Sequence, residues 1–293
     1  MTVAAPDDML VDAAANAASI RRDSLRALSR SRTFVIGAAI VLFWIACALF
    51  GGMMVPYDPT APDIMGALQS PSPEHWFGTD SLGRDVFSRV IVGSRDILMV
   101  APLATALGTI LGVMLGLVTG YFRGIVDDSL SRVIDALLAL PIVIIALMAL
   151  TAIGASSFTV VVVIGVVYAP LIARTVRSAV LSERELDYVA AAKLRDEGAA
   201  HILFIEILPN IASPILVEAT VRLGYAIFAV ATLSFLGFGI QPPSPDWGLS
   251  ISQSYGMING GYWWPVLFNA IAIASLVVGV NLVADGVQSA YES

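Results

Sequence analysis

Glu218 and Arg222 stand one helical turn apart inside a long apolar run, acid first, the favourable order for a helical ion pair. Charges in that setting either mark a polar interior or pathway, or lie near a helix end and reach out to the interface. Other groups capable of chemistry are scarce and scattered. Lys193, the sole lysine, follows three alanines and precedes Leu194, so it cannot belong to a phosphate-binding loop of the Gly-x-x-x-x-Gly-Lys-Ser/Thr type. His75 and His201 fall in different loops, on opposite sides of the membrane in the topology below, and cannot share a metal. The single cysteine, Cys47, lies within an apolar run, which excludes an intramolecular disulfide and suits a small buried residue. No cluster of His, Asp or Glu suits a catalyst or a metal site, so the expectation is a non-enzymatic component.

The elements that position these residues are membrane spans. With 57% hydrophobic and 13% charged residues and a mean hydropathy of +0.83, the chain departs far from a soluble domain. Six apolar blocks are long enough to cross a bilayer: Phe34–Met54, Ile97–Gly120, Val133–Ile153, Phe158–Ala173, Ser213–Leu236 and Trp264–Val283. Their length and weak alternation exclude barrel strands, and lipid leaves a helical bundle as the alternative. The expected fold is an all-α, polytopic bundle of six transmembrane helices over residues 34–293, preceded by a cytoplasmic tail, residues 1–33.

Arginine sets the orientation. Arg21, Arg22, Arg26, Arg30 and Arg32 precede the first span, Arg123 and Arg132 follow the second, and Arg174, Arg177, Arg184, Lys193 and Arg195 follow the fourth. Only Arg84, Arg89 and Arg95 lie on the other side, so both termini are expected in the cytoplasm. The tail carries Asp7, Asp8 and Asp12 and does not read as a signal peptide. Met9–Arg32 is expected either as an amphipathic helix on the inner leaflet or as a solvated tail. A net charge of −7 argues against a nucleic-acid partner.

Two loop regions stand out. The cytoplasmic segment 183–210 is rich in helix formers and predicts a helix over Glu183–Arg195, with Tyr188, Ala191, Ala192 and Arg195 sharing one face. Gly198 can break it, and a second helix over Ala199–Leu208 ends near Pro209. Such a knob reads as a docking surface for another subunit, with a merely structural loop between spans as the alternative. The external segment 55–96 contains Trp76, Gly78, Thr79, Asp80, Gly83, Arg84 and Asp85. From Leu82 to Val92, apolar Val86, Phe87, Val90 and Ile91 oppose Arg84, Asp85, Ser88 and Arg89, which predicts a helix lying at the membrane surface. That region reads either as a docking or gating surface or as a structural cap on the helix tops. A second external loop, 237–262, brings Pro242, Pro243 and Trp247, with Trp263 and Trp264 beyond it as interfacial anchors.

The runs His75–Arg89, Gly93-Ser-Arg95, Leu233–Gly239 and Gln241-Pro-Pro with Trp247-Gly248 resemble those of the inner-membrane permease subunits of ATP-binding-cassette importers. The similarity covers about residues 33–286 and is strongest to the second permease of the dipeptide, oligopeptide and nickel branch. Asp187–Asn210 looks like the family's coupling motif: Ala190-Ala191-Ala192 fills its Glu-Ala-Ala positions, Leu208-Pro209 closes it, and Asp196 stands at its turn glycine. The resemblance implies a type I importer permease fold in a bacterial inner membrane. It also implies a homologous second permease, two ATPase subunits carrying ATP and Mg, and an external binding protein that delivers substrate. On this view Tyr188, Ala191, Ala192, Lys193, Arg195, Asp196, Gly198, Leu208 and Pro209 couple to an ATPase. Trp76, Gly78, Thr79, Asp80, Gly83, Arg84, Asp85 and Trp247 serve external gating or binding-protein contact. Peptides are the expected cargo, with nickel chelates or another small metallo-ligand as the alternative. A self-sufficient secondary transporter or channel is the rival reading. It would place coupling-ion residues near mid-membrane, whereas the second to fourth spans are nearly free of charge.

Overall fold

Five helices are long and apolar enough to cross a membrane, and two shorter ones, bent against each other by 90°, form a sixth, broken crossing. The computed structural model describes residues 31–292, so nearly all of the Met9–Arg32 segment lies outside the described residues. In chain order the helices are α1 (Arg32–Met54), α2 (Val86–Tyr121), α3 (Ile125–Leu138), α4 (Ile142–Ile153) and α5 (Ser157–Glu183). Two short helices follow, α6 (Asp187–Leu194) and α7 (Ala199–Asn210), then α8 (Ala212–Phe235), α9 (Trp247–Ser254) and α10 (Trp264–Glu292). Among the described residues there is no strand, only an isolated bridge between Thr79 and Asp85.

Helices in lipid gain nothing from burying one apolar surface against another, so their association rests on close packing. Here glycine supplies it. Gly108, Gly112, Gly116 and Gly120 recur every fourth residue on α2 and face α5. A Cβ on Gly112, Gly116 or Gly120 would lie 2.6 Å from the Cβ of Ile172, Val176 or Val180 respectively. On Gly108 it would lie 2.9 Å from the carbonyl oxygen of Gly165. Residue numbers rise together along both helices, so α2 and α5 run parallel. The chain between them must therefore cross back over the full length, and α3 and α4 together make that crossing.

The continuous third span expected over Val133–Ile153 is thus corrected to two helices. Pro141 explains the break: its ring disfavours helical backbone at Leu140 and it has no N–H to donate to a preceding turn. Two other bounds also move. α5 runs ten residues past Ala173 through charged helix formers, and so takes in Glu183, which had been expected to start the loop helix. α2 begins at Val86 and is one helix of 36 residues, which replaces the separate surface helix expected over Leu82–Val92. At 1.5 Å per residue it is about 54 Å long, against a hydrocarbon core of about 30 Å. It is therefore about 24 Å longer than the apolar layer is thick.

α1 lies antiparallel to α10. Gly37 packs on Gly279 and Leu282, and Gly286 packs on Phe34. Trp44 Nε1 donates to Ser275 Oγ at 2.9 Å. Cys47 is buried in the same core, as expected.

Substituting Gly116→Val forces a branched side chain into a space where even a Cβ meets Val176 at 2.6 Å and the Ala173 oxygen at 2.8 Å. We expect a loss of about 1–3 kcal/mol, the usual cost of overpacking, read as a lower unfolding temperature in detergent. Gly52→Ala, where a Cβ meets nothing within 4 Å, should leave that temperature unchanged or raised.

Candidate functional site

At the N-terminal end of α2, segments 55–85 and 237–263 close over a cluster of buried polar groups. Asp85 caps the helix, accepting from the Ser88 N–H and hydroxyl at 2.7 Å each. His75 Nδ1 lies 2.9 Å from its other oxygen. Asp80 accepts from Arg84 Nε at 2.7 Å, and Arg84 Nη2 reaches Gln253 Oε1 at 2.8 Å. Arg89 ties three segments together, donating to Pro59 O at 2.9 Å, Ser250 Oγ at 3.0 Å and Ser244 O at 3.3 Å. Trp247 Nε1 donates to Val90 O at 2.8 Å, and Trp264 Nε1 donates to Thr79 O at 2.9 Å. Gly83 adopts φ 74°, and a Cβ there would sit 1.7 Å from the Asp63 oxygen, so no other residue fits.

This geometry corrects the expected polar face. Arg84, Asp85, Ser88 and Arg89 point inward with Val86 and Val90, because two loops, rather than solvent, supply their hydrogen-bond partners. Of the residues expected at an external contact, Thr79, Asp80, Arg84, Asp85 and Trp247 are buried. Gly78, at φ 73°, shapes the turn, and only Trp76 is well exposed. Trp264, expected at the interface, is also buried, while Trp263 stays half exposed. The arrangement caps the helix tops, and of the residues expected at an external contact Trp76 is the one left open for it.

Asp246 caps α9, accepting from Leu249 N–H at 2.8 Å through one carboxylate oxygen. Burial pushes its carboxyl up to about 6.

At the opposite end of α2, α6 and α7 form a knob with its own core. Val189, Ala192, Ile202, Leu203, Ile207 and Ile211 pack on Leu117 of α2 and on Ile172, Val176 and Val180 of α5. Arg184 Nη1 donates to the terminal carbonyls of α2, Gly120 O at 3.0 Å and Tyr121 O at 2.8 Å. Lys193 Nζ lies 5.7 Å from the centre of the Tyr121 ring, and Tyr188 donates its hydroxyl to Glu183 at 2.9 Å. The expected face of Tyr188, Ala191, Ala192 and Arg195 is not a single outward surface: Ala192 is fully buried and Tyr188 and Ala191 are half-buried. The outward face of α6 is Leu186, Ala190 and Leu194, four residues apart, with Leu194 89% exposed.

The turn between α6 and α7 rests on Asp196, not on Gly198. Asp196 adopts φ 59°, its N–H donates to Lys193 O at 3.1 Å, and Glu197 N–H donates to Ala192 O at 3.2 Å. These are the two bonds of a glycine-type helix terminus, here made by a residue that tolerates the left-handed region at some cost. Gly198 is extended, a conformation open to any residue. Arg195 spans the turn, holding Glu197 at 2.7 Å and Glu206 at 3.2 Å. Glu197, His201 and Glu206 converge closely enough to suggest a cation, but the Arg195 guanidinium already occupies that role. α7 runs past the expected stop: a π-helical stretch, Ile202–Ile207, widens the turn before half-buried Leu208 and exposed Pro209. Leu208 N–H donates to Leu203 O, and the wider turn accommodates the proline ring.

Glu218 and Arg222 are brought together, with Arg222 Nε donating to Glu218 Oε1 at 2.6 Å. They lie about 9 and 15 Å along the 24-residue α8 by helical rise, so Arg222 is near its middle rather than at its end. Two further ion pairs join α3 to α5: Arg177 with Asp127 at 2.7 Å and Arg174 with Asp135 at 2.6 Å. They flank a cavity of about 510 Å³. Sequence reading missed the glycine ladder and these two bridges. The four-residue glycine spacing was a usable signal for the ladder, whereas the bridges join residues 39 and 50 positions apart.

Residues 112–293 match the family described as binding-protein-dependent transport system inner membrane component. Residues 19–71 match the N-terminal transmembrane domain of oligopeptide transport permease C. The dipeptide transport system permease protein DppC of Alkalihalophilus pseudofirmus is 36% identical over 92% of this chain and 89% of its own. The di/tripeptide transport system permease protein DppC of Pseudomonas aeruginosa is 34% identical over 87% and 86%. Among solved structures, a chain from the MetNI methionine ABC transporter in inward-facing conformations superposes with a TM-score of 0.55 at 19% identity. That superposition covers 67% of this chain and 93% of the other.

Two measurements test the local physics. Asp196→Gly should stabilise the protein by about 1 kcal/mol, the scale of left-handed strain in an L-residue, and Asp196→Val should destabilise it. Asp246 holds its proton more tightly folded than unfolded, so its stabilisation is full below about pH 4 and is lost as pH rises through about 6. Asp246→Asn keeps the cap and removes that titration. Unfolding temperatures between pH 4 and 7 should fall for the wild type relative to the variant.

Proposed function

This chain belongs to the family of binding-protein-dependent transport system inner membrane components, and from that premise we propose that it is one permease of an ATP-driven peptide importer. It is a multi-pass membrane protein with the importer-permease fold. It forms half of a translocation pathway with a homologous second permease. Peptide cargo is supported by the dipeptide and di/tripeptide relatives above. A self-sufficient secondary transporter does not fit that membership.

The observation that carries the reading is the knob. Its core is fused to the ends of α2 and α5, while Leu186, Ala190 and Leu194 present an apolar strip with no partner among the described residues. A surface of that kind suits an ATPase subunit, and its rigid seat on α2 and α5 suits force transmission into the spans. The arginine distribution supports a cytoplasmic position for this end and for both termini, with the polar cap on the external side that a binding protein would approach. ATP and Mg belong to the ATPase partners, and this chain catalyses nothing alone. ATP drives the cycle only if it binds one conformation of the assembly more tightly than the other.

Leu194→Glu should cut ATPase recovery with a tagged copy in mild detergent at least about tenfold while leaving membrane insertion intact, as expected for a charge forced into an apolar contact. Ala192→Arg should instead lower the folded yield, because no space surrounds that position. Mass spectrometry of the wild-type complex should find a second permease and P-loop ATPases. Wild-type ATPase recovery and transport in Leu194→Glu would overturn the docking assignment.

A further inference from the structure

We propose that one face of α8 lines the translocation pathway, and that Glu218 and Arg222 on it receive the ammonium and carboxylate termini of a zwitterionic peptide. This rests on the peptide-importer reading above. The face runs through Glu218, Arg222, Tyr225, Phe228, Thr232 and Phe235, spaced by three and four residues so that they stack along one side of the helix. Tyr225 and Phe228 are 58% and 61% exposed in the isolated chain. The Arg222 guanidinium lies 5.6 Å from the Tyr225 ring centre. At the far end Tyr255 meets Phe235 edge-on at 5.6 Å, extending the aromatic track to the capped end of the bundle.

A guanidinium and a tyrosine hydroxyl near the middle of a span, with a carboxylate one turn nearer its start, are costly against hydrocarbon. The opposite side of α8 shows what a lipid-compatible surface looks like here. There Leu216, Ala219 and Leu223 line an apolar groove of about 420 Å³ with Pro102 and Ile110 of α2, and no charge enters it. The Glu218 and Arg222 side chains are only 15% and 20% exposed, so what stays open of this face, Tyr225 and Phe228 with the edge of the ion pair, must meet water or a polar partner.

Charge complementarity selects the occupant. Arg222 uses only Nε on one oxygen of Glu218, so among the described residues its terminal nitrogens and the second Glu218 oxygen have no hydrogen-bond partner. A guanidinium fork binds a carboxylate in two parallel bonds, and a carboxylate beside it binds an ammonium. A short peptide carries those two groups and little other fixed charge. The aromatic rings beyond the pair give its side chains an apolar, non-selective track.

The test uses the complete importer, with both permeases, the ATPases and the binding protein, in proteoliposomes. Tyr225→Cys and Phe228→Cys should react with a charged methanethiosulfonate, more slowly during transport of Ala-Ala, while Leu216→Cys should not react. Arg222→Gln should raise the KM for Ala-Ala uptake about tenfold, the loss expected for one charge-assisted contact. The double change Glu218→Arg with Arg222→Glu keeps an ion pair but reverses its polarity along the helix, and should not restore that KM. Unreactive cysteines at both positions would mean that a second permease or lipid covers this face, and would overturn the proposal. So would restoration by the reversed pair, which would make the pair purely structural. If Arg222→Gln does not assemble, the cysteine reactivities decide alone. A wild-type complex that moves no Ala-Ala overturns the peptide reading itself, and the assignment of the pair's ligand with it.

Discussion

The close approach of α2 and α5 along Gly108, Gly112, Gly116 and Gly120 is the contact on which the rest of the bundle depends. Without a hydrophobic force between helices, backbone proximity and interdigitated side chains hold spans together. Ile172, Val176 and Val180 fill the space that the glycines leave. Because the two helices run parallel, the chain between them has to recross the layer, and the bend at Pro141 belongs to that return. Because the same pair ends at the knob, Leu117, Val176 and Val180 join the transmembrane packing to the core of α6 and α7. Any force applied at α6 enters the bundle through its most tightly packed seam.

The other end of α2 is held by different physics. Buried arginines and aspartates are stable only when each is paired and hydrogen-bonded. Arg84, Asp80 and Asp85 meet that condition, and Arg89 meets it through its terminal nitrogens, by drawing in loops from two distant parts of the chain. Arg89 Nε stands 3.6 Å from Asp80 without a hydrogen bond. A helix about 54 Å long thus carries a polar lock at one end and a docking knob at the other.

The knob also shows how a motif can lose its usual residue and keep its shape. Asp196 takes the left-handed position that glycine fills more easily, and both terminal hydrogen bonds survive. Sequence reading located the departure at Asp196 but assigned the break to Gly198, since glycine is the usual sign of such a turn. The backbone dihedrals moved the turn two residues upstream.

Composition and the spacing of apolar runs were enough to determine a helical membrane bundle of about six crossings and to place the knob between two spans. Those features depend on local transfer energies and helix periodicity, which residues report directly. Family resemblance was legible for the same reason, being carried by contiguous runs such as His75–Arg89. What the tertiary structure alone decided was which way side chains point. Arg84 and Arg89 turned inward because Gln253, Ser244 and Ser250, more than 150 positions away, supply their partners. Ala192 turned inward because Ile172 and Val176 of α5 share its core, and Arg222 came to rest near the middle of α8 with Glu218 one turn nearer its start. Burial in a bundle is set by neighbours distant in the chain, and no local pattern can report it.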